Sequence, residues 1–174
     1  MGWLSSLFRR PEQAAPDVTQ TPAAQFVINN PAGDGTVPAA LLPATGRGFF
    51  VEVKGESHYQ DVLRAYRAES GGDNDTSVIL VPEPTNPHDA NAVAVKTFQN
   101  DTVGYVGREE AARYQPTLIV LQQRGLTCVC AAQLRGGTGA KKSIGVWLDL
   151  EGPMAVAAKF GVPYQRQPAR KETL

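Results

Sequence analysis

The chain is short of the residues from which most active centres are built. It has two histidines, His58 and His88, and two cysteines, Cys128 and Cys130, in 174 residues. A structural zinc site takes four strong ligands. Cys128 and Cys130 would need both histidines to complete one, so neither a metal nor any other cofactor is expected. A single residue separates the two cysteines, so a strand would turn both to one face. A disulfide between such close neighbours is geometrically poor, and no other cysteine is present. The pair reads as two small core-facing residues in a reduced, cytoplasmic protein.

Charge of one sign is also missing. Lys and Arg number 17, Asp and Glu number 17, and the formal net charge is zero. That argues against a protein that coats long stretches of DNA or an acidic lipid surface, because both depend on excess positive charge. It leaves open the recognition of a DNA end, which needs few phosphate contacts. No run of about 18 apolar residues exists, so no transmembrane segment is expected. The start, Met1 to Arg10, puts a short apolar piece before its charges, the reverse of a signal peptide. Trp3, Leu4, Leu7 and Phe8 fall on one side of a short helix. Residues 1–10 therefore read either as a frayed start or as a segment that docks a protein partner.

What the chain does have is a proline-rich stretch between two apolar runs, Val81-Pro82-Glu83-Pro84-Thr85-Asn86-Pro87-His88-Asp89-Ala90-Asn91-Ala92-Val93. Each proline fixes its own φ and pushes the preceding residue out of the helical region. Asn and Asp bond their own backbone and favour turns. The stretch should be a rigid connector between strands that presents His88, Asp89 and Asn91. It is equally readable as a well-made turn in which Asp89 only caps backbone amides.

The remaining chain falls into order around it. Residues 1–46 are rich in Pro, Ala, Thr and Gln and read as a disordered segment and linker. A folded domain is expected over residues 47–151, and a partly helical or disordered tail over 152–174. Phe49 to Lys54 reads as a strand. A helix follows with Tyr59, Val62, Leu63 and Tyr66 at helical spacing and Ser57 as its N-cap. Ser77 to Val81, Ala90 to Phe98 and Thr102 to Val106 read as strands, the last two joined by a turn at Gln99 to Asp101. Gly104 inside a strand marks a bulge or a close backbone approach. A helix opening at Glu109 is followed by a second helical segment starting at Pro116. Leu126 to Leu134 and Ile144 to Leu150 complete six strands. Between these last two lies a loop with Gly136, Gly137, Gly139, Lys141 and Lys142. It fails as a phosphate cradle, because no Gly precedes the Lys-Ser pair directly and a strand follows where a helix is required. It reads as a mobile hairpin loop, or as one whose Lys141 and Lys142 touch a nucleic-acid backbone. Six short strands and two to three helices fit a mainly β fold, a small OB-like barrel flanked by disordered tails.

The segment Glu83 to Val95, then Val103-Gly104-Tyr105-Val106 and a helix with Ala111 and Ala112, resembles the HIRAN domain. That family's pattern runs roughly E-P-x-N-P-[YH]-D-x-N-A-[IV]-x-V, followed by [IV]-G-[YH]-[LIV]. The likeness extends to Val51 to Gly55 and Tyr59 and spans about Phe49 to Leu150. It implies an OB-like barrel that binds single-stranded DNA at a free 3′-hydroxyl end, in a DNA repair or replication setting. By the resemblance, Asp89 accepts a hydrogen bond from the terminal hydroxyl. His58 and His88 stand where aromatics sandwich the terminal base, and Tyr59 matches a second aromatic. Asn86 and Asn91 shape the loop, and Tyr105 takes the ring position on the return strand. Ser57 stands where DNA-binding members carry Arg. No ATPase motif is present, and the arrangement is similar to that of free-standing bacterial members.

Three functions follow as expectations. The first is a DNA-end binding module, not an enzyme, acting as a monomer. The second is a protein-interaction module on the same fold, tethered through residues 1–10. The third is a metal-dependent hydrolase using His58, His88 and Asp89, for which no supported nucleophile is apparent.

Overall fold

A computed structural model describes residues 26–72, 74–139 and 141–164. Its strands are β1 (Phe26–Asn29), β2 (Thr36–Leu41), β3 (Val51–Lys54), β4 (Asp75–Pro82), β5 (Val93–Lys96), β6 (Thr102–Val106), β7 (Thr127–Thr138) and β8 (Lys141–Asp149). Its helices are α1 (Gln60–Glu69), α2 (Arg108–Gln123) and α3 (Pro153–Lys159), with a 3-10 turn at Glu56–His58 before α1.

Six strands pair in the ring order β7-β4-β5-β6-β3-β8, and β8 pairs back onto β7. The expected mainly β barrel is therefore closed, with three helices around it. Closure follows from residue type. β-branched residues alternate inward, with Val53, Val78, Val93, Val95, Val103 and Val146 all fully buried. Closing the ring covers β7 from Ala131 onward with β8, and β2 covers its start at Thr127 to Val129. Cys128 and Cys130 are free and buried on one face of β7, as their spacing implied. Burial pushes both thiols up to about 12. Leu63 and Tyr66 of α1 and Tyr114, Leu118 and Leu121 of α2 complete the core.

Several expectations need correction. The stretch read as disordered linker contains an ordered hairpin, β1–β2. Its strand β2 pairs in parallel with β7, Ala39 opposite Thr127 and Leu41 opposite Val129. The sequence hides it because Ala39 and Ala40, both fully buried, are too small to mark a strand, and β2's partner lies far along the chain. Asp149 anchors the chain just after β2, accepting hydrogen bonds from Thr45 N at 2.7 Å and Gly46 N at 3.2 Å. The expected break at Pro116 is absent. The helix α2 is continuous with Pro116 inside it, because Ala111, Tyr114, Gln115, Leu118 and Leu121 bury one face on both sides of the proline. Ser57 does not cap α1. It lies in the 3-10 turn, and Tyr59 takes the N-cap position without a side-chain bond.

Most of the segment read as a glycine-rich loop is strand. β7 and β8 run on until Thr138 pairs with Lys141, with a register shift between Gly136 and Thr138. Gly136 and Gly137, at φ 86° and 78°, supply the positive angles that shift needs. At the other end, the expected partial helix is α3. Val156, Ala157, Phe160 and Val162 from this region are buried in the core. Residues 1–10, and the tail from residue 165 onward, lie outside the described residues.

Candidate nucleic-acid interface

The connector leaves β4 at Pro82 and enters β5 at Val93, two residues that face each other in the sheet. Glu83 N donates to Ala92 O at 2.9 Å and closes its base. Asn86 organises the interior. Its Oδ1 accepts from His88 N at 2.9 Å and Asp89 N at 3.3 Å, and its Nδ2 donates to Glu83 Oε2 at 2.8 Å. Asp89 Oδ1 accepts from Asn91 N at 2.9 Å. These are the local turns that Asn and Asp were expected to form. A tie from outside the connector comes from Gln115 of α2. It is buried, and its Nε2 donates to Ala90 O at 2.8 Å and Ala92 O at 3.1 Å.

Asp89 has a second role. Its Oδ2 lies 3.2 Å from Arg108 Nε, in a pair whose side chains are 22% and 72% exposed for Asp89 and Arg108 respectively. The carboxylate is thus held in place, and the guanidinium beside it reaches into solvent. A carboxylate has about four acceptor positions, so one backbone amide and one guanidinium N–H leave room for a further donor.

The aromatic residues lie on the elements next to the connector. Gly104 on β6 lets β3 come close. A Cβ there would sit 2.4 Å from Val53 Cγ1 and 2.7 Å from Lys54 O, and its φ is 154°. The sequence allowed a bulge or a close approach at Gly104. The structure has both, since the β5–β6 register shifts at Val95–Lys96. The next residue, Tyr105, is pushed above the ordinary tyrosine range by desolvation first, then by the charge of Glu83 and the neighbouring Tyr59. Tyr59, Tyr105, Glu83 and Asn86 thus form one connected group. His58 ends the 3-10 turn, exposed, with its ring edge-on to Tyr59 at 6.4 Å between centroids. His88 is exposed on the connector. Among the described residues no ring contact joins the two histidines, so they stand as separate exposed rings.

The two lysines stand apart from this group. The Lys141 backbone pairs with Thr138 at the hairpin tip, and Lys142 is exposed. No hydrogen bond or ion pair among the described residues ties Lys142 to the connector. The hairpin approaches the site region through Gln60, which exchanges hydrogen bonds with the backbone of Ile144 at 2.8 and 2.9 Å, and through Glu56, whose Oε1 accepts from Val146 N at 3.4 Å. Among the described residues, no three His, Cys, Asp or Glu side chains gather in a way that would hold a metal ion. No described helix is long and apolar enough to cross a membrane.

Residues 48–139, more than half of the chain, match the HIRAN domain family. The chain belongs to the HIRAN domain family. HIRAN domains are in general nucleic-acid-binding modules. No curated protein and no solved structure matches the chain. Within the HIRAN region the sequence reading missed Glu83, Arg108 and Gln115. Glu83 opens the motif itself, and its place beside Asn86 was a usable signal. Arg108 and Gln115 come from α2, and nothing local in the sequence ties them to the connector.

Proposed function

We propose that this HIRAN domain binds single-stranded DNA at a free 3′-hydroxyl end and acts as a binding module, not an enzyme. The observation that carries the proposal is the Asp89–Arg108 pair, held at the lip of a rigid connector. Asp89 accepts a hydrogen bond from the terminal hydroxyl, through lone pairs left over from Asn91 N and Arg108. Arg108 turns its remaining N–H groups to the phosphate on the 5′ side of the same nucleotide. This supplies a cation at a site where Ser57 offers none. His88 and His58 stack on the terminal base, a contact worth roughly 1–3 kcal/mol per base and indifferent to its identity. Tyr59 and Tyr105, braced by Glu83, form the ledge beneath. Asn86 and Asn91 hold the loop, and Lys141 and Lys142 meet the strand further from its end.

A site built to hydrogen-bond a hydroxyl rejects an analogue that leaves its acceptor unpaired. A 3′-phosphate also brings negative charge against Asp89. Fluorescence anisotropy with two labelled oligonucleotides, one ending in a 3′-hydroxyl and its twin in a 3′-phosphate, tests the reading. The hydroxyl end should bind at least about ten-fold tighter, the weight of one charge-assisted hydrogen bond. Asp89→Asn keeps the acceptor for Asn91 N but removes the charge, and should narrow the gap between the two ends. Equal affinity of the wild type for both oligonucleotides sinks the proposal.

A further inference from the structure

Trp147 carries a large ring on the outside of the barrel. Residues that stand opposite one another in a ladder share a face, and faces alternate along a strand. Trp147 stands opposite Glu52 on β3 and Gln133 on β7, while its neighbours Val146 and Leu148 are fully buried inside. On β3, Lys54 shares the face of Glu52 and stands opposite Tyr105 of β6. Trp147 and Tyr105 therefore lie on one outer face, two strand spacings apart, about 10 Å measured around the sheet.

The indole is held in place. Its six-membered ring covers Gly145, where a Cβ would fall 2.5 Å from Trp147 Cζ3 and 2.8 Å from Cη2. The φ of Gly145 is not positive, so the missing side chain serves the ring and not the backbone. The same Cβ would lie 3.6 Å from Glu56 Oε1, which puts the ring beside the 3-10 turn that carries His58. Arg135 lies over the indole, its Cζ 4.9 Å from the ring centroid. Its Nε donates to Gln133 Oε1 at 2.7 Å and its Nη2 to Phe49 O at 3.2 Å. The edge that a guanidinium uses bidentately on phosphate is thus taken. Lys54, the cation between this pair and Tyr105, is engaged by Glu52. Yet Arg135 is exposed and Trp147 only half-buried. A fixed cation on a fixed ring, both open to solvent, suits the flat face of a base.

We propose that Arg135 and Trp147 form a second stacking platform, which takes a base at an internal position of a single-stranded nucleic acid. The proposal rests on the nucleic-acid binding of the family and on the continuity of this face with Tyr105 and the His58 turn, and not on recognition of the 3′ end. The base lies across the pair, against the guanidinium and the part of the indole that it leaves open. Phe50, two residues before Glu52 and 71% exposed, adds a ring at the rim. Both members of the pair are ordered in advance, so little freedom is lost on binding. A strand that runs from the connector to this platform spans several nucleotides, in keeping with the roughly 4–16 that an OB fold holds.

The chain has two tryptophans, Trp3 and Trp147, so the full chain carrying Trp3→Phe reports on Trp147 alone. Octanucleotides of single-stranded DNA, ending in a 3′-hydroxyl or a 3′-phosphate, are titrated into it, following Trp147 emission and the anisotropy of the labelled strand. Bound octanucleotide should quench the emission by stacking. An abasic octamer, which keeps the phosphates and loses the bases, should leave the emission unchanged. Trp147→Leu should weaken octanucleotide binding at least about five-fold, the lower end of what one stacked base contributes. The proposal is overturned if the octanucleotide binds without moving the emission, if the abasic octamer moves it equally, or if Trp147→Leu folds and keeps full affinity. It is overturned as well if no octanucleotide binds. Equal binding of both ends with quenching by each removes the 3′-end reading and keeps this one. A 3′-hydroxyl preference with a silent Trp147 does the reverse. Should Trp147→Leu fail to fold, the emission and the abasic control decide it alone.

Discussion

Two successive amides after Pro87, those of His88 and Asp89, end on one oxygen, Asn86 Oδ1. The prolines restrict the backbone, but this amide group selects one conformation from those they leave. The same side chain grips Glu83, and Glu83 lies against Tyr105. Asn86→Ala should therefore loosen the connector and its aromatic ledge together. Removing a partner from part-buried donors costs about 1–3 kcal/mol, and His88 N can turn to water, so the lower half of that range is expected. Urea denaturation should show a lower midpoint at unchanged slope. Wild-type stability in Asn86→Ala would mean the prolines suffice. This scale also divides what sequence could and could not reveal about the site. Asn86, Asp89 and Asn91 bond within a few residues of themselves, so their roles follow from residue type and spacing. Arg108 and Gln115 act on the connector only after β6 has returned beside β5 and α2 has packed behind them. No local pattern carries that information.

The strands of the ring are each marked by β-branched residues, and all six could be read from the sequence. The elements that were misread each depend on a distant partner. The strand β2 exists because β7 accepts it in parallel, with Leu42 N also bonded to Val129 O at 2.8 Å. The helix α2 runs through Pro116 because its two halves share a buried face. The strands β7 and β8 run on through the glycines because these serve a register shift that no residue count reveals. A sharp consequence concerns where the folded unit starts. A chain beginning at Gly48, where strand-forming residues first become dense, would lose Ala39, Ala40 and Leu42 from the core, the Thr45 and Gly46 bonds to Asp149, and β7's neighbour. Loss of one buried leucine side chain alone costs about 2–5 kcal/mol. The Gly48 variant should thus be less stable than a variant beginning at Phe26 by at least that much. It should also associate through the β7 edge. Urea melts and light scattering on the two variants check both effects. Equal stability would return residues 26–47 to the role of linker.

For the molecule as a whole, zero formal net charge sets how a nucleic acid can be held. A strand bound mainly through its phosphates releases one set of counterions per neutralised phosphate, and affinity then falls steeply with salt. Among the described residues, the proposed interface offers two cations, Arg108 at the connector and Lys142 on the β7–β8 hairpin. Stacking and the Asp89 hydrogen bond do not depend on counterion release. With about two phosphates neutralised and roughly 0.7 per phosphate for single strands, log K should fall against log salt with a slope of about −1.4. Anisotropy titrations of a hydroxyl-ended octanucleotide between low and moderate salt measure this directly. Arg108→Gln should make the slope shallower by about 0.7, and Asp89→Asn should lower affinity without changing it. A slope of about −4 or steeper would mean that the strand is held along its backbone by many contacts, and the end-reading site would lose its central place.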